Sequence, residues 1–421
     1  MHPALRALRY RSFRIFFVGQ GVSIFGTWMQ TLATSWLIYR LTGSAFMLGL
    51  STAALQLPML FLSPLAGVWA DRLDRRRMLI VVQALAGIQA LVLAALTYFG
   101  VVQVWHVIAL SLFLGTMNAF ETPTRQAFLL EMVESKADLP NAIALQSLLF
   151  NSARFVGPTI AGVLLALAGE ALCFFLNGIS YLAVVIAYLT IRVRPRTPSR
   201  AATPVWQELG SGFRYAFGSL ATRRLILLLA ALSLFSAPWM TLMPIFAGET
   251  FAGDSRTLGL LIGAVGVGAI AATASLAVRP SVRGLGRVIA GCSVAAALAL
   301  TGFALSHWFW LSLALLAVFG AGLIATVAST NTILQTIADD DKRGRIISIY
   351  VMTFLGLAPF SNFVAGAIAE AIGAHWTIFG CGVCLTLATG LFAANYESWR
   401  RSIRPIYIRQ GIIPPPPTET P

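Results

Sequence analysis

The chain alternates between long apolar runs and short polar breaks. Each run has about 18 residues or more, which is the length a helix needs to cross a hydrocarbon core about 30 Å thick. The pattern predicts an all-α membrane protein with twelve spans, numbered here in chain order. The predicted spans are 14–38, 46–70, 78–99, 104–121, 144–168, 171–191, 223–247, 257–278, 287–305, 308–333, 345–369 and 375–395.

The longest break divides the spans into two sets of six. We predict a first bundle over 1–191, a linker with a short amphipathic helix over 192–222, a second bundle over 223–396 and a basic, proline-rich tail over 397–421. The two halves look related. Ala161–Gly169 ends span 5, Ala365–Gly373 ends span 11, and both read Ala-Gly, six residues, Gly. This match favours a duplicated six-helix unit, as in transporters built from repeats.

Composition and charge agree with this topology. The chain is 57% hydrophobic and 11% charged, whereas soluble domains carry about 25% charge. Of the 30 basic residues, 27 fall on the side of the N-terminus, the even-numbered loops and the C-terminus. Arg40 and Arg256 fall on the other side, and Arg154 lies inside span 5. The positive-inside rule therefore predicts cytoplasmic termini and explains the +14 net charge without nucleic acid.

The turn between spans 2 and 3 carries a recognisable motif. Residues 67–80 resemble the Gly-x-x-x-Asp-Arg-x-Gly-Arg-Arg/Lys signature of the major facilitator superfamily. The matching residues are Gly67, Asp71, Arg72, Arg75 and Arg76. Asp74 stands where the family has glycine. The resemblance implies twelve helices arranged as two six-helix pseudo-repeats.

Other segments, within a resemblance over about 5–396, are similar to an exporter branch. That branch includes enterobactin-type siderophore exporters and macrolide efflux proteins. The segments are 120–128, 139–145, 151–162 and 344–350, and Gly157-Pro158 with Gly162 looks like the span-5 signature of drug/proton antiporters. The span-4 arginine expected upstream of Gly115 is missing, with Ser111 near its position, which puts antiport chemistry in question.

Polar residues form a stripe on span 1. The residues that project within an arc of about 100° are Gln20, Ser23, Thr27, Gln30, Thr31 and Thr34. A polar stripe in hydrocarbon must face protein or water. It lines a central cavity, as the resemblance implies for spans 1, 4, 7 and 10, or it forms interhelical hydrogen bonds.

Arg154 is the basic residue that lies deep in a span. Placing arginine at the centre of a span costs about 2.5–3.5 kcal/mol on insertion scales. Arg154 is either a cationic element of the cavity that favours anionic or neutral polar substrates, or a structural residue hydrogen-bonded to neighbouring carbonyls.

Further candidate cavity residues follow from proline kinks and polar patches. Pro238 and Pro244 bracket large adaptable side chains in span 7, which suit a bulky amphiphile or pack an ordinary kink. The additional candidates are Trp239, Met240, Met243, Asn118, Asn151, Thr326, Thr330 and Asn331.

The resemblance also implies a gate at the loop side. Carried over, Glu121 pairs with Arg72, and Asp71 caps the start of span 11. Arg75 and Arg76 complete the predicted gating and coupling set, or serve topology alone. An anion at a helix N-terminus is favourable by about 0.3–1 kcal/mol.

These observations predict a secondary transporter of a bacterial inner membrane, not an enzyme. It exports a small drug- or siderophore-like amphiphile by alternating access, driven by the proton gradient. We expect a monomer with no cofactor, metal site or nucleic-acid partner, since the histidines and cysteines lack ligand spacing. The alternatives are a lipid or lysolipid flippase, or a membrane sensor or scaffold that does not transport.

Overall fold

The computed structural model describes residues 3–133, 135, 137–191, 217–279, 281–339, 342–410 and 412–413. The linker helix, predicted over 206–217, falls outside these ranges except for Phe217, and so does the proline run 414–417.

The described residues are helical almost throughout. A 3₁₀ helix, Pro3–Arg9, precedes the first long helix, and a π-helical turn, Phe246–Thr250, follows α7. The α-helices are α1 Arg11–Thr42, α2 Ala45–Arg72, α3 Arg75–Tyr98, α4 Val104–Met132, α5 Leu139–Thr190, α6 Leu220–Ser236, α7 Pro238–Ile245, α8 Ser255–Ala277, α9 Leu285–Leu305, α10 Phe309–Ile337, α11 Arg343–Gly356, α12 Ala358–Ile372, α13 Ala374–Ala394 and α14 Tyr396–Arg409.

The helices reproduce the predicted twelve crossings. Among the described residues, ten helical segments are long and apolar enough to span a membrane. One of them, α5, is 52 residues long and changes direction at Gly169, which makes it two crossings. Together with α1, a 32-residue helix that carries the polar stripe, the total is twelve.

Most helix ends lie within a few residues of the predicted bounds, and three spans differ by more or are interrupted. α4 runs to Met132 rather than to residue 121, because its last turns bury their polar side chains against neighbouring helices. Span 7 is divided at Ala237, before Pro238, and span 11 is divided at Leu357, before Pro359. A proline removes a backbone donor and clashes with the preceding turn, so both breaks fall where the chain loses helical hydrogen bonds.

The structure comprises two compact units. Unit 1 combines Met1–Ala202 with Met240–Gly266 and Asn362–Ala374; unit 2 combines Thr203–Trp239 with Val267–Ser361 and His375–Pro421. Unit 1 therefore includes ends of spans 7, 8 and 11 in addition to the first six spans. We call the end of unit 1 that carries the turn between α2 and α3 the basic end, and the other end of unit 1 the opposite end.

Each unit has its own buried anchoring contacts. In unit 1, Phe13, Phe16 and Phe128 pack around Tyr188 in a fully buried cluster. In unit 2, Trp399 of α14 is buried, and its indole N–H donates to the Ala221 carbonyl at 3.0 Å. The tail therefore begins as a helix packed on unit 2.

The repeated Ala-Gly motifs have equivalent structural roles. A Cβ added at Gly162 would come within 2.8 Å of the Gly259 Cα, and one at Gly366 would lie 2.9 Å from the Gly49 Cα. Gly169 and Gly373 both end their helical arms with positive φ, at 76° and 88°. Glycine adopts this conformation without steric penalty. The sequence repeat thus marks two matching helix contacts and two matching turns.

Candidate functional site

Asp74 begins α3. Its carboxylate accepts a hydrogen bond from the backbone N–H of Arg77 at 3.0 Å, which is N-cap geometry. Where the superfamily signature has glycine, this chain therefore has a residue that satisfies a free N–H of the third span. The departure is a local stabilising feature of the turn.

Two arginines of the same turn are held inside unit 1. Arg75 forms an ion pair with Glu131 of α4 at 2.7 Å, and both side chains are about 85% buried. Arg76 donates to the backbone carbonyls of Tyr188 and Leu189, at 2.6 and 2.5 Å, at the end of span 6. A cation at a helix C-terminus satisfies carbonyls that lack helical partners. These two residues tie α3 to α4 and α5.

A second ion pair lies deeper in unit 1. Glu121 accepts from the Arg125 Nε at 2.6 Å, one helical turn further along α4, and both side chains are mostly buried. Gln83 of α3 reaches the same carboxylate at 3.5 Å, and the Arg125 guanidinium lies over the Phe150 ring at 5.6 Å. Glu121 is thus engaged by Arg125, whereas the side chains of Arg72 and Asp71 lie outside the described ones, so their pairing stays a prediction.

Gln30 of the span-1 stripe belongs to a buried network. Its amide N–H donates to Gln89 of α3 at 3.1 Å, and its oxygen accepts from Asn177 of α5 at 2.6 Å. Ser180 donates to the Asn177 side-chain oxygen at 3.1 Å. These contacts give Gln30 the interhelical role that is the alternative to cavity lining.

The other stripe residues are less completely paired. Thr27 and Thr31 donate to backbone carbonyls one turn back on α1, and Thr34 is half-buried. The Gln20 side chain is buried, and its oxygen has no hydrogen-bond partner among the described residues. A buried acceptor without a partner is costly, so Gln20 is the stripe residue most suited to a polar ligand group or water.

Arg154 is exposed on α5, and the apolar residues that follow it along the helix are exposed on the other side. Four exposed apolar residues that follow it, Val156, Ile160, Val163 and Leu167, form a stripe about 180–240° around the helix from it. Ile143 and Phe150, which precede it and are also exposed, lie within about 40° of its direction. Its guanidinium is 5.9 Å from the centre of the Trp28 ring on α1, within cation–π range. Arg154 and Trp28 therefore form a cationic aromatic surface on the side of α5 turned away from the apolar stripe.

The predicted residues of spans 7 and 10 are mostly buried. Trp239 packs edge-on against Phe319 at 5.8 Å, Met243 is fully buried and Met240 is half-buried. On α10, Thr326 donates to the Gly322 carbonyl, and Asn331 accepts from Gln335 at 3.0 Å. The buried hydroxyls of Ser329 and Thr330 have no partner within the described part of the chain.

The remaining candidates are less defined. Asn118 is half-buried on α4, and the Asn151 side chain lies outside the described ones. A surface cleft of about 720 Å³ near Arg9, Tyr10 and Met132 contains none of the predicted cavity residues. A transported solute is therefore better sought at Arg154 and Gln20 than at this cleft.

Several contributing residues were not predicted. Gln89 and Asn177 are amide side chains within the apolar runs of spans 3 and 6, which is the signal that marks them. Arg125 follows Glu121 at the i, i+4 spacing of a helical ion pair, and ending span 4 at residue 121 concealed it. Glu131 has no comparable signal, because its pairing depends on how α3 packs on α4.

The amino-acid sequence matches the model of a known family. Residues 3–398 match the model of the transmembrane secretion effector family. The chain belongs to this family of the major facilitator superfamily. The match includes all twelve crossings and the first residues of α14.

Relatives in this family are transporters. The chain is 25% identical to a staphyloferrin A transporter of Staphylococcus aureus over 381 residues, covering 89% of this chain and 94% of the relative. It is 24% identical to the multidrug efflux pump Tap of Mycolicibacterium fortuitum, covering 86% and 90%. The chain is thus a multi-pass membrane transporter of the efflux type rather than an enzyme.

Solved structures share the fold at low identity. A bacterial homologue of the human lysosomal transporter Spinster, inward-facing and occupied, aligns with a TM-score of 0.72 at 15% identity, covering 94% of this chain and 98% of that one. A POT family transporter with a bound peptide conjugate aligns with a TM-score of 0.71 at 11% identity, covering 92% and 96%. These similarities establish the superfamily fold.

Proposed function

We propose that the protein exports a small amphiphilic molecule, siderophore-like or drug-like, by alternating access. The observation that carries this is Arg154 over Trp28, an exposed cation on an aromatic ring opposite the apolar stripe that follows it on α5. The relatives named for a siderophore and for multidrug efflux support the substrate class.

The site favours anionic or neutral polar groups on an apolar body. A guanidinium donates several hydrogen bonds in a planar fork and pairs well with carboxylate. Trp28 supplies apolar surface beside it. Gln20 lies eight residues before Trp28, about 12 Å along α1, and adds a buried acceptor without a partner among the described residues. A permanently cationic substrate lacking any acidic group fits this arrangement poorly.

The proton gradient drives the cycle in this proposal, with Glu121 as the residue that takes the proton. As a carboxylate, Glu121 neutralises the buried Arg125. Protonation leaves the arginine charge without compensation, and an uncompensated buried charge is strongly unfavourable. Proton binding would therefore be linked to a change of partner for Arg125, which is the kind of coupling a transport cycle needs.

In the same proposal, both termini lie in the cytoplasm of a bacterium, so the basic end faces inward, and a monomer is sufficient. The 27-to-2 distribution of basic residues supports the orientation. The alternative function, a lipid flippase, differs in its substrate. A flippase would move labelled lipid between leaflets without solute flux.

A ligand screen followed by transport tests the proposal. Purified protein is screened by thermal shift with staphyloferrin A, the anionic amphiphile anilinonaphthalene sulfonate and the cationic ethidium. We expect stabilisation by the anionic compounds and its loss in Arg154→Gln. Equal stabilisation of parent and variant by every compound would contradict the role of Arg154.

A further inference from the structure

Glu370 connects the end of α12 to the start of α2. Its carboxylate accepts a hydrogen bond from the Ser44 hydroxyl at 2.9 Å and another from the backbone N–H of Phe46 at 3.0 Å. Ser44 is the N-cap residue of α2, and its oxygen also accepts from the Met47 N–H at 3.2 Å. Glu370 thus extends the cap of a helix that lies more than 300 positions away in the chain.

The same two helices are in contact along several turns within unit 1. Phe46 and Phe363 meet edge to face at 5.6 Å, and the Asn362 amide donates to Gln56 at 3.3 Å. Between them, Gly49 and Gly366 bring the backbones together. Glu370 lies at the outer end of this contact, where it adds a charge to an otherwise neutral seam.

The charge suits the position. The first N–H groups of a helix lack intrahelical partners and carry a partial positive charge, so an anion there is favoured. Hydrogen bonds to a charged acceptor are roughly twice as strong as neutral ones. The contact joins span 2 of the first half to span 11 of the second, and it can form only while these spans lie together at the opposite end.

We propose that Glu370 is a positioning residue of the transport cycle that holds the opposite end closed. Both hydrogen bonds are lost when that end opens. The inference depends on the proposed alternating access. It gives the opposite end a counterpart to the contact predicted for Asp71 at the basic end. In the sequence repeat the position equivalent to Glu370 is Ala166, so the first half does not supply a second copy of this contact.

A cysteine reporter tests the proposal without a substrate. Thr52 is half-buried and lies 3.5 Å from the Thr241 hydroxyl, also within unit 1. In a background in which Cys173, Cys292, Cys381 and Cys384 are replaced, Thr52→Cys is labelled with a membrane-impermeant maleimide in nanodiscs. We expect Glu370→Gln to raise the labelling rate about threefold to tenfold, which corresponds to the loss of a charge-assisted contact.

Asp254→Asn is the matched control. Asp254 also accepts backbone hydrogen bonds, from Arg256 at 2.9 Å and Thr257 at 3.3 Å, but these belong to its own helix, α8. We expect the control to label at the parent rate. Ser44→Ala, which keeps the bond from Phe46, should accelerate labelling less than Glu370→Gln.

The outcomes separate the two proposals. Parent-like labelling in both Glu370→Gln and Ser44→Ala, with normal elution on size exclusion, would overturn the role of Glu370, even if transport is observed. Faster labelling in Glu370→Gln without any solute flux in the parent would support the contact and contradict the exporter. If Glu370→Gln does not fold, Ser44→Ala decides the question by the same readout.

Discussion

At the scale of single residues, Arg154 has the clearest functional position. Its exposure, its contact with Trp28 and its position opposite the apolar stripe that follows it on α5 are three observations on one side chain. The sequence located the arginine within a span but not its surroundings, because the direction of a side chain depends on which helix packs beside it.

Arg154→Gln should reduce export at least tenfold without reducing membrane insertion. The substitution removes the charge but retains a polar side chain, so insertion becomes easier rather than harder. Export of the compound found by the ligand screen is measured in vesicles, with the amount of protein quantified by immunoblot. Arg256→Gln, at the exposed start of α8, is the control. Export at the parent rate in Arg154→Gln would remove the residue from the site.

Removing one partner of the buried pair Glu121–Arg125 should lower the unfolding free energy more than removing both partners. Arg125→Met leaves the Glu121 carboxylate buried without its cation, and we expect a loss of about 3 kcal/mol in unfolding free energy. The double variant Glu121→Gln/Arg125→Met should recover part of that loss. Equilibrium unfolding in mixed micelles measures both. Additive losses in the double variant would show that the two side chains do not act as a pair.

At the scale of helices, the lengths of the apolar runs were sufficient to predict the number and order of the spans. Ends were predicted well where charge or proline marks them, as at the turn between α2 and α3. The end of α4 was missed because Glu121, Arg125 and Glu131 find partners inside unit 1. The span-1 stripe shows a related difficulty. Facing a cavity and facing another helix both require a polar stripe, and only packing distinguishes Gln30 from Gln20.

Asp74 should stabilise the start of α3. Asp74→Ala removes the acceptor for the Arg77 N–H, and we expect a loss of about 1 kcal/mol in unfolding free energy. Glu397→Ala is the control, since its exposed pair with Arg400 on α14 should contribute less than about 0.5 kcal/mol. Equal stabilities of Asp74→Ala and its parent would mean that water satisfies the N–H equally well.

The close contact between α2 and α12 should depend on Gly366 having no side chain. In Gly366→Ala the new Cβ meets the Gly49 Cα and the Ala45 carbonyl oxygen at 2.9 Å, so α2 and α12 must separate. We expect faster labelling of Thr52→Cys. Gly390→Ala, with no atom within 4 Å of the added Cβ, should have no effect. Slower or unchanged labelling in Gly366→Ala would show that the seam tolerates a methyl group.

At the scale of the whole molecule, the sequence was sufficient for the superfamily fold and the duplicated half. The motif at residues 67–80 and the Ala-Gly repeats carry this information locally. Contacts between distant segments, such as Glu370 with α2, have no local signal. They follow from how the ends of spans 7, 8 and 11 pack within unit 1.

Asp71→Asn should act on the cycle in the direction opposite to Glu370→Gln. If Asp71 caps span 11 at the basic end, its neutralisation favours opening of that end and closure of the other. Labelling of Thr52→Cys should therefore slow down, while Glu370→Gln accelerates it. A change of the same sign in both variants would contradict the assignment of one acidic contact to each end.

The most direct test is flux in proteoliposomes that contain only this protein, with and without an imposed pH gradient. We use the anionic amphiphile that gives the largest thermal shift, and we expect its movement against a concentration gradient when a proton gradient is present. Movement should stop when the gradient is collapsed, and it should be abolished in Glu121→Gln. Absence of gradient-dependent flux for every compound that binds would contradict proton-coupled export, and undiminished flux in Glu121→Gln would contradict the role of Glu121.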